Sequence, residues 1–431
     1  MLYSIFCKLP KNGSEEPLTE VWQYNNLTNE VWDAEGNLVD FSERLPTEAI
    51  APKKSRKSLG VYSKDAPILG KKRIIRKLKI QLGMACNYHC KYCMQANYRD
   101  LGSSIHGPEA VEAFLQKLED ANIELKPYGQ IEFWGGEPLV YWKTLKLLIP
   151  KLSEKWGFKP SMLMITNGSL MTDEIADFLI RYQISVCISH DGPGFSLRDD
   201  KDPLFDPKIK NVWLRFFEKG KEAGRPFVFH SVITPKSADF DELKQFFKKH
   251  FAEDAILSFE GIVTDEGASA PESQFSLETA RTLDSSIFKA LIAEPEQWPC
   301  LMDKAQGLMD CLVHRVSADD IWCRCESGRP EVLITDLQGN LDTCQNRPAS
   351  VFKIGTLKNL KEAKNTYFTH WSLRDHCRDC LLLSSCNGGC PHLSNAELNV
   401  ACKNEVLYHS AFFGAVWFML TGRIFLSAKP T

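Results

Sequence analysis

Three cysteines lie close together just after the first predicted strand of the sequence. Cys86, Cys90 and Cys93 follow one another with the spacing Cys-x3-Cys-x2-Cys. A structural zinc site closes with four ligands, and a four-iron cluster normally takes four cysteines. Three thiolates therefore leave one metal position open for a small molecule, which is a property of catalytic sites. The alternative is a zinc knuckle in which His89 is the fourth ligand.

A second group of cysteines lies near the end of the chain. Its members are Cys325, Cys344, Cys377, Cys380, Cys386, Cys390 and Cys402. From Ile321 onward the sequence consists of short segments and turn residues, so it cannot bury much apolar surface of its own. We expect bound metal to stabilise this region, because the free energy of metal binding becomes free energy of folding. A purely zinc-binding tail is the alternative, since Cys-x2-Cys pairs are common zinc ligands.

The elements that must position the first cysteines alternate between strand and helix. The predicted strands are residues 78–82, 130–134, 161–165, 185–189, 227–233 and 256–262. Intervening helices such as 108–121 and 141–156 have apolar residues three and four positions apart. This alternation is typical of parallel βα units, and six of them predict an α/β fold with a partial (βα)6 barrel. Loops at the C-terminal ends of parallel strands reach a common centre, which is where the cysteine loop falls.

The remaining sequence gives the domain organisation. We predict an N-terminal β appendage with a basic linker, a barrel, a helical bridge and a cysteine-rich domain, at residues 1–73, 74–265, 266–320 and 321–431. Within the appendage, Glu20-Val21-Trp22 and Glu30-Val31-Trp32 bracket a polar turn and predict a hairpin. The apolar residues 406–426 predict a helix after the last cysteine.

Residues 51–80 are strongly basic. They contain eleven Lys or Arg and one acidic residue, Asp65. A stretch of this kind is usually a solvated linker that leads into a strand. The alternative is a docking patch for an acidic peptide or for phosphates.

Composition limits the class of protein. A hydrophobic fraction of 44% and an aromatic fraction of 11% exclude a disordered chain. The net charge of −3 gives no global field for nucleic acid or an anionic membrane, and the apolar residues 411–420 fall short of the roughly 20 that span a bilayer. Fifteen cysteines without a recognisable signal peptide indicate metal ligands in a reducing cytoplasm in preference to disulfides.

The cysteine spacing, Tyr92 before the third cysteine, and the turn Gly135-Gly136-Glu137-Pro138 after the second strand together resemble the radical S-adenosylmethionine (SAM) enzymes. The resemblance covers about residues 78–264. It implies that Cys86, Cys90 and Cys93 bind a [4Fe-4S] cluster whose fourth iron is chelated by SAM, and that reductive cleavage of SAM yields a 5'-deoxyadenosyl radical. It also implies that the turn contacts the SAM amino group. Glycines allow close approach of a ligand, and Glu137 offers a carboxylate near an ammonium.

Two more strand ends supply polar residues to the same centre. The resemblance implies that Asn167, Ser189 and Asp191 contact SAM, with Arg198 a candidate for its carboxylate, and Tyr92 belongs to the same set. The alternative is ordinary turn chemistry, because Asn-Gly and Asp-Gly form turns in any context.

The residue that accepts a proton from the substrate is open among Asp191, Glu260 and Asp265, and Asp191 is the candidate catalytic residue. His190 is expected to be a hydrogen-bonded core histidine, with a place in the substrate pocket as the alternative.

The later cysteines resemble the SPASM extension of radical SAM enzymes, from about Trp322 to the end of the sequence. That extension holds two auxiliary iron-sulfur clusters. The resemblance assigns the outer cluster to Cys377, Cys380, Cys386 and Cys402, and the inner cluster to Cys325, Cys344 and Cys390. The fourth inner ligand is open between Cys323, Cys311 and a vacant iron position.

Radical SAM enzymes with both regions mostly modify ribosomally made peptides or proteins. The resemblance therefore implies a peptide maturase that acts on a precursor peptide or protein and takes electrons from an external reductant of flavodoxin or ferredoxin type. We expect an oxidative carbon–carbon or thioether crosslink, because two auxiliary clusters accompany a basic patch able to meet an acidic leader.

Two alternatives to crosslinking follow from the sequence. Formylglycine formation, as in anaerobic sulfatase maturases, is disfavoured because residues 191–204 depart from the His-Asp-x-x-Arg continuation of those enzymes. A non-catalytic, RNA-associated iron-sulfur protein would use residues 51–80 as a phosphate-binding arm, and it would bind RNA with strong salt dependence.

Overall fold

The computed structural model describes residues 1–11, 17–42, 70–101, 106–263, 270–321, 324–364 and 369–431. Three sequence predictions fall wholly or partly elsewhere. The basic stretch 51–80 is described only from Gly70, and both Asp265 and Cys323 lie outside the described residues.

The described residues form thirteen strands and nine α-helices. The strands are β1 (Leu2–Lys8), β2 (Thr19–Asn25), β3 (Val31–Trp32), β4 (Ile74–Gln81), β5 (Glu124–Trp134), β6 (Ser161–Thr166), β7 (Ile184–Ser189), β8 (Val228–Ile233), β9 (Leu257–Ile262), β10 (Val332–Asp336), β11 (Asn340–Asp342), β12 (Gly355–Thr356) and β13 (Ile424–Pro430). The α-helices are α1 (Pro108–Asp120), α2 (Trp142–Glu154), α3 (Asp173–Arg181), α4 (Pro207–Glu222), α5 (Phe240–His250), α6 (Leu277–Ile292), α7 (Pro299–Val313), α8 (Leu383–Cys386) and α9 (Asn395–Thr421).

The chain divides into two compact units. The barrel unit comprises Pro67–Gly261 and Cys325–Phe368, and the terminal unit comprises Met1–Ala66, Ile262–Arg324 and Thr369–Thr431. This division does not follow the four predicted parts, whose boundaries stay predictions.

The barrel unit contains a sheet with the strand order β12-β11-β10-β4-β5-β6-β7-β8-β9. Strands β4 to β8 pair in parallel, and a helix lies between each of them and the next, from α1 between β4 and β5 to α4 between β7 and β8. All six predicted strands are present, so the predicted α/β fold with a partial barrel is confirmed. Strand β5 begins earlier than expected, because residues 124 and 125 pair with the start of β4 across a register shift between Ile75 and Lys77.

Apolar side chains on one face of each helix hold the helices against the sheet. Val111, Phe114 and Leu118 of α1 recur three and four positions apart and are fully buried. Leu78 and Ile80 of β4 are also fully buried. Burial of each such side chain contributes about 1.5–3 kcal/mol, so this layer fixes where the strands end.

The barrel sheet also includes strands from late in the sequence. Strand β10 pairs in parallel with β4, from Val332 opposite Lys77 to Asp336 opposite Gln81. Every residue of β10 is buried, which is the pattern of a strand covered on both faces.

The terminal unit contains a sheet with the order β13-β1-β2-β3. Strands β2 and β3 form the predicted hairpin, with Tyr24 opposite Val31. Strand β1 pairs antiparallel with β13, so the first and last strands of the chain share one sheet. Trp22 of this sheet packs edge-on against Trp417 of α9, with ring centroids 5.7 Å apart.

The predicted helix at 406–426 needs correction at both ends. Helix α9 begins at Asn395 because Ser394 and Glu397 form a capping box there. It ends at Thr421 because Gly422 adopts the left-handed conformation, with φ of 70°. The residues that follow form β13. Of the helices in the described ranges, none combines the length and apolar character needed to span a membrane.

Candidate functional site

Four neighbouring strands of the barrel unit end at the same edge of the sheet. Strand β4 ends at Gln81, β5 at Trp134, β6 at Thr166 and β7 at Ser189. The loops that follow carry the three cysteines, the Gly-Gly-Glu-Pro turn, Asn167 and Asp191 in that order. The predicted site residues therefore lie at one edge of the sheet. In parallel α/β sheets, this edge is where ligands bind.

The cysteine loop packs directly on the Gly-Gly-Glu-Pro turn. The Gly136 amide donates to the Gly83 carbonyl at 3.0 Å, and the Glu137 amide donates to the Ala85 carbonyl at 2.9 Å. A Cβ atom on Gly136 would lie 2.4 Å from the carbonyl oxygens of both Met84 and Ala85. The approach of the cysteine loop therefore requires a glycine here, a reason that the sequence analysis did not foresee.

Glu137 fixes this turn to the end of β6. Its carboxylate accepts hydrogen bonds from the Leu139 amide at 2.9 Å, from the Asn167 amide at 2.7 Å, and from the Thr166 hydroxyl. Burial raises the pKa of Glu137, although these hydrogen bonds oppose the shift. Glu137 therefore orients the turn, and its predicted contact with the SAM ammonium stays a prediction.

Asn167 joins the end of β6 to the cysteine loop. Its side-chain nitrogen donates to the Asn87 side-chain oxygen at 2.9 Å, and its side-chain oxygen accepts from the Ser169 backbone amide at 2.9 Å. Asn87 in turn donates to the Ser169 hydroxyl at 2.8 Å. These bonds are the turn chemistry that the sequence analysis kept as an alternative. A SAM contact of Asn167 stays a prediction.

Tyr92, Asp191 and Arg198 form a buried network beside the cysteines. The Tyr92 hydroxyl donates to Asp191, and Arg198 donates to the Tyr92 oxygen at 2.9 Å. An Arg198 nitrogen lies 3.6 Å from the second Asp191 oxygen, which also accepts from the Val232 amide at 2.9 Å. Burial raises the pKa of Tyr92 well above its ordinary value. Asp191 therefore positions Tyr92 and Arg198 here, and its role as a proton acceptor stays a prediction.

Arg198 carries the one buried polar atom in this network that lacks a partner. Among the described residues, its Nε has no hydrogen-bond partner. Burial raises the pKa of the Cys90 thiol to about 11, and the positive charge of Arg198 opposes that rise. The Arg198 guanidinium lies beside the cysteine loop, and its Nε–H is available as a donor. Such a group is suited to bind an anionic ligand group such as a carboxylate.

His190 and Ser189 lie at the end of β7 but differ in environment. His190 Nε2 donates to Asp202 at 2.8 Å and its Nδ1 accepts from the Gly192 amide at 3.0 Å. The prediction of a hydrogen-bonded core histidine is confirmed. Ser189 is half-buried, and its hydroxyl makes no hydrogen bond within the described chain.

The thiols of Cys86 and Cys93 influence each other within the loop. Burial raises the pKa of Cys86, and the neighbouring Cys93 adds to the rise, so the sulfur atoms are close enough to interact. The sulfur atoms nevertheless do not form a group within 4.8 Å among the described residues. Two thiolates on one zinc ion lie at most about 4.6 Å apart, twice the Zn–S distance. The cluster and the zinc knuckle with His89 both stay predictions.

The four cysteines predicted for the outer cluster all lie in the terminal unit. Burial raises the pKa values of Cys377 and Cys402 to about 11, and the charge of Cys380 adds to both shifts. Cys386 is affected in the same way by Cys380 and Cys402. These thiols influence one another's pKa, and their assignment as ligands of one cluster stays a prediction.

The N-terminal sheet holds this cysteine segment in place. The Asn26 side chain donates to the carbonyls of Arg378 and Cys380, both at 2.9 Å, and the Tyr3 hydroxyl donates to the Asp379 carbonyl. No sequence pattern predicted this role for the N-terminal residues.

A buried charged group adjoins Cys386. Ligand atoms of Cys386, Glu405 and His409 all lie within 4.8 Å of one another. Glu405 pairs with His409 at 3.1 Å and with Arg324, and the Ser385 hydroxyl lies 2.7 Å from His409 Nδ1. No sequence pattern predicted these residues, although Glu405 and His409 stand four positions apart on the helix that carries Cys402. They fit the outer shell of a metal site at Cys386.

The residues predicted for the inner cluster belong to different units of the chain. Cys325 and Cys344 belong to the barrel unit and Cys390 to the terminal unit. Of the candidates for the fourth ligand, Cys311 lies fully buried in an apolar cluster of the terminal unit, and Cys323 is outside the described residues.

Within the barrel unit, the segment after Cys344 is fastened to the end of β4 and to the cysteine loop. The Gln81 side chain donates to the Gln345 carbonyl at 3.1 Å and to the Arg347 carbonyl at 2.6 Å. Gln95, two residues after Cys93, donates to Asn346 at 3.0 Å. The two cysteine-bearing segments therefore form one hydrogen-bonded assembly.

Comparisons with known proteins agree with this geometry. Residues 80–248 match the Radical SAM superfamily. The radical SAM cyclopropyl synthase TigE of Paramaledivibacter caminithermalis is 28% identical over 177 residues, which span 38% of this chain and only 37% of TigE. The serine-type anaerobic sulfatase-maturating enzyme of Bacteroides thetaiotaomicron is 24% identical over 370 residues, 76% of this chain and 86% of that protein.

The fold is also shared with solved structures. Native anSMEcpe with bound AdoMet and Cp18Cys peptide superposes with a TM-score of 0.58 at 20% identity, covering 80% of this chain and 99% of that chain. At this identity the likeness shows the fold. The superfamily implies a [4Fe-4S] cluster and SAM, and the cysteine-rich C-terminal region is consistent with a SPASM domain. The cysteine loop and the strand-end network both lie within residues 80–248, the part of the chain that matches the Radical SAM superfamily.

Proposed function

We propose that this enzyme is a peptide or protein maturase that modifies a side chain of its substrate. The main observation in support is the assembly at the strand ends. In it, the loop of Cys86, Cys90 and Cys93 is hydrogen-bonded to the Gly-Gly-Glu-Pro turn and lies beside the Tyr92–Arg198 pair. When bound, the cluster and SAM supply radical chemistry that begins with one-electron reductive cleavage of SAM.

The chain's own residues hold and orient the reactants. Arg198 offers its free Nε–H to the SAM carboxylate, while Asp191 and Tyr92 fix the guanidinium in place. Glu137 keeps the turn against the cysteine loop. Holding reactants in a productive geometry lowers the entropic part of the barrier, and the buried network limits access of water.

Similarity to proteins that act on peptides supports a peptide substrate. The solved structure with the same fold contains a peptide, and the Bacteroides relative matures a sulfatase by its name. We propose a precursor peptide as the substrate, an external one-electron reductant of flavodoxin or ferredoxin type, and an oxidative crosslink as the product. Auxiliary clusters at the C-terminal cysteines would accept the electron that this oxidation releases.

Formylglycine formation is the second candidate. The similarity to the serine-type maturase extends over 76% of this chain. The spacing argument against it is also weaker than the sequence indicated, because the backbone between Asp191 and Arg198 brings the arginine back to within 3.6 Å of the aspartate.

Anaerobic reconstitution with SAM, dithionite and the small peptides encoded beside the gene tests the proposal, with a serine-containing sulfatase peptide in parallel. Both reactions remove two hydrogen atoms from the peptide. Formylglycine contains an aldehyde that reacts with a hydrazide, whereas a crosslinked peptide contains no aldehyde. Cys93→Ala should abolish SAM cleavage, and Cys386→Ala should retain some cleavage without product. Absence of 5'-deoxyadenosine under all conditions would refute the proposal.

A further inference from the structure

A basic cavity lies in the barrel unit at the N-terminal end of β4. Its volume is about 650 Å³. The lining residues come from two segments of the chain and are Lys71, Lys72, Arg73, Ile74, Lys358, Asn359, Leu360, Lys361 and Glu362. None of them belongs to the strand-end assembly described above.

Backbone contacts between the two segments fix the walls of the cavity. The Lys71 amide donates to the Leu360 carbonyl at 2.9 Å. Gly70 lies so close that a Cβ atom there would be 2.4 Å from the Lys361 carbonyl oxygen. The Lys71 ammonium donates to the carbonyls of Arg329 and Val332, at 2.9 and 3.0 Å. Lys71 is therefore a structural residue that holds the floor in place.

The other cations of the cavity face solvent and lack an acidic partner. Lys72, Arg73, Lys358 and Lys361 are exposed, and within the described chain none of the four takes part in an ion pair. Nearby Lys77, in contrast, is paired with Glu132 at 2.7 Å and with Glu326 at 2.9 Å. On a protein with net charge −3, this concentration of unpaired positive charge creates a local field that attracts anions.

The walls also present apolar surface. Ile74 is 53% exposed at the cavity, and Leu360 forms part of the lining. The lysine stems add further methylene groups. A complementary ligand therefore carries both acidic and apolar side chains. The lining contains no aromatic residue on which a base could stack, which disfavours single-stranded nucleic acid.

We propose that this cavity binds an acidic segment of the peptide substrate, remote from the residue that is modified. The inference rests on the proposed function, because it names how that substrate is recognised. The charge complementarity of Lys72, Arg73, Lys358 and Lys361 supports a Glu- or Asp-rich segment, and Ile74 supports an apolar side chain within it.

The position of the cavity also sets a minimum length for the substrate. The cavity adjoins the first residue of β4, whereas the cysteine loop follows its last residue, and β4 has 8 residues. At about 3.3 Å per residue the strand is about 26 Å long. An extended peptide needs at least about seven residues to cover that distance. A substrate in which the acidic segment and the modified residue are closer than this cannot occupy both places.

Fluorescence anisotropy with the full chain tests the inference. The probe is a fluorescein-labelled peptide composed of Glu, Leu and Ser. The double variant Lys358→Glu/Lys361→Glu should bind it about tenfold more weakly than the unaltered protein, equivalent to about 1.4 kcal/mol. The matched control Lys208→Glu/Lys249→Glu makes the same change in net charge on exposed residues elsewhere in the barrel unit and should change affinity less than twofold.

The outcomes separate this inference from the proposed function. SAM cleavage should be the same in both double variants, since none of the four lysines belongs to the strand-end assembly. Equal weakening in both double variants, unchanged peptide binding in the cavity variant, or preferential binding of an RNA oligonucleotide or phosphatidylserine vesicles would each overturn the inference. If no peptide is modified by the unaltered protein, the proposed function fails even where the anisotropy result holds.

Discussion

Replacing Gly136 by Ala places one methyl group between the Gly-Gly-Glu-Pro turn and the cysteine loop. The added Cβ atom would lie 2.4 Å from two backbone carbonyl oxygens, those of Met84 and Ala85, whereas ordinary contacts begin near 3.4 Å. The loop must therefore move by about 1 Å, since backbone atoms cannot rotate aside as a side chain would.

The displacement breaks two hydrogen bonds, Gly136 to Gly83 at 3.0 Å and Glu137 to Ala85 at 2.9 Å. Each contributes about 1 kcal/mol and costs more when a buried partner stays unpaired, so we expect a loss of about 2–4 kcal/mol. A displacement of about 1 Å at a reaction centre lowers the rate by roughly 10²-fold. SAM cleavage should fall by at least this factor.

The assay measures iron and sulfide content, the midpoint of thermal unfolding, and release of 5'-deoxyadenosine. The matched control is Gly414→Ala in α9, where the added Cβ atom meets Phe425 at an ordinary 3.8 Å. This control should be neutral or slightly stabilising, because Ala is favoured over Gly within a helix by up to about 1 kcal/mol. Normal iron loading and SAM cleavage by the Gly136 variant would refute the reasoning.

Two further predictions concern buried polar groups of the barrel unit. Tyr92→Phe removes the hydroxyl that bonds to Asp191, so the KM for SAM should rise while iron content stays normal; unchanged kinetics would contradict the proposed positioning. Glu132→Gln should destabilise the protein by about 3 kcal/mol at pH 7, because it breaks a buried pair with Lys77. The nearby lysines hold the pKa of Glu132 below its ordinary value despite burial, so this penalty should shrink as the pH falls below about 4.5 in denaturant unfolding. The exposed control Glu174→Gln should cost less than about 1 kcal/mol at either pH.

Much of the barrel could be predicted from the sequence because its signals are local. The six parallel strands are short apolar runs, and their boundaries differ from the predictions mainly where pairing with a neighbour extends them, as at residues 124 and 125 of β5. The cysteine loop and the Gly-Gly-Glu-Pro turn were also recognisable, since each is a contiguous motif at a strand end.

Contacts between distant segments could not be predicted in the same way. Strand β10 pairs with β4 although Lys77 and its partner Val332 are 255 positions apart in the sequence. The bonds from Asn26 to the Arg378 and Cys380 carbonyls are of the same kind. A side-chain amide has no periodicity that would reveal its partner, so such contacts emerge only from the fold.

The functional meaning of individual side chains was the least predictable. Tyr92 was recognised as an aromatic residue, yet its hydroxyl is what joins it to Asp191 and Arg198. Glu405 and His409 escaped notice because a Glu–His pair four positions apart is common on helices, and only burial beside Cys386 makes it distinctive.

The most direct test of the central claim is the electron paramagnetic resonance spectrum of the reduced, anaerobically prepared protein, recorded with and without SAM. Alanine replacements of Cys377, Cys380, Cys386 and Cys344 would leave the cluster at the cysteine loop as the source of the signal. We predict a [4Fe-4S] signal that changes when SAM is added. Zinc in place of iron and sulfide, or a spectrum that SAM leaves unaltered, would contradict the account.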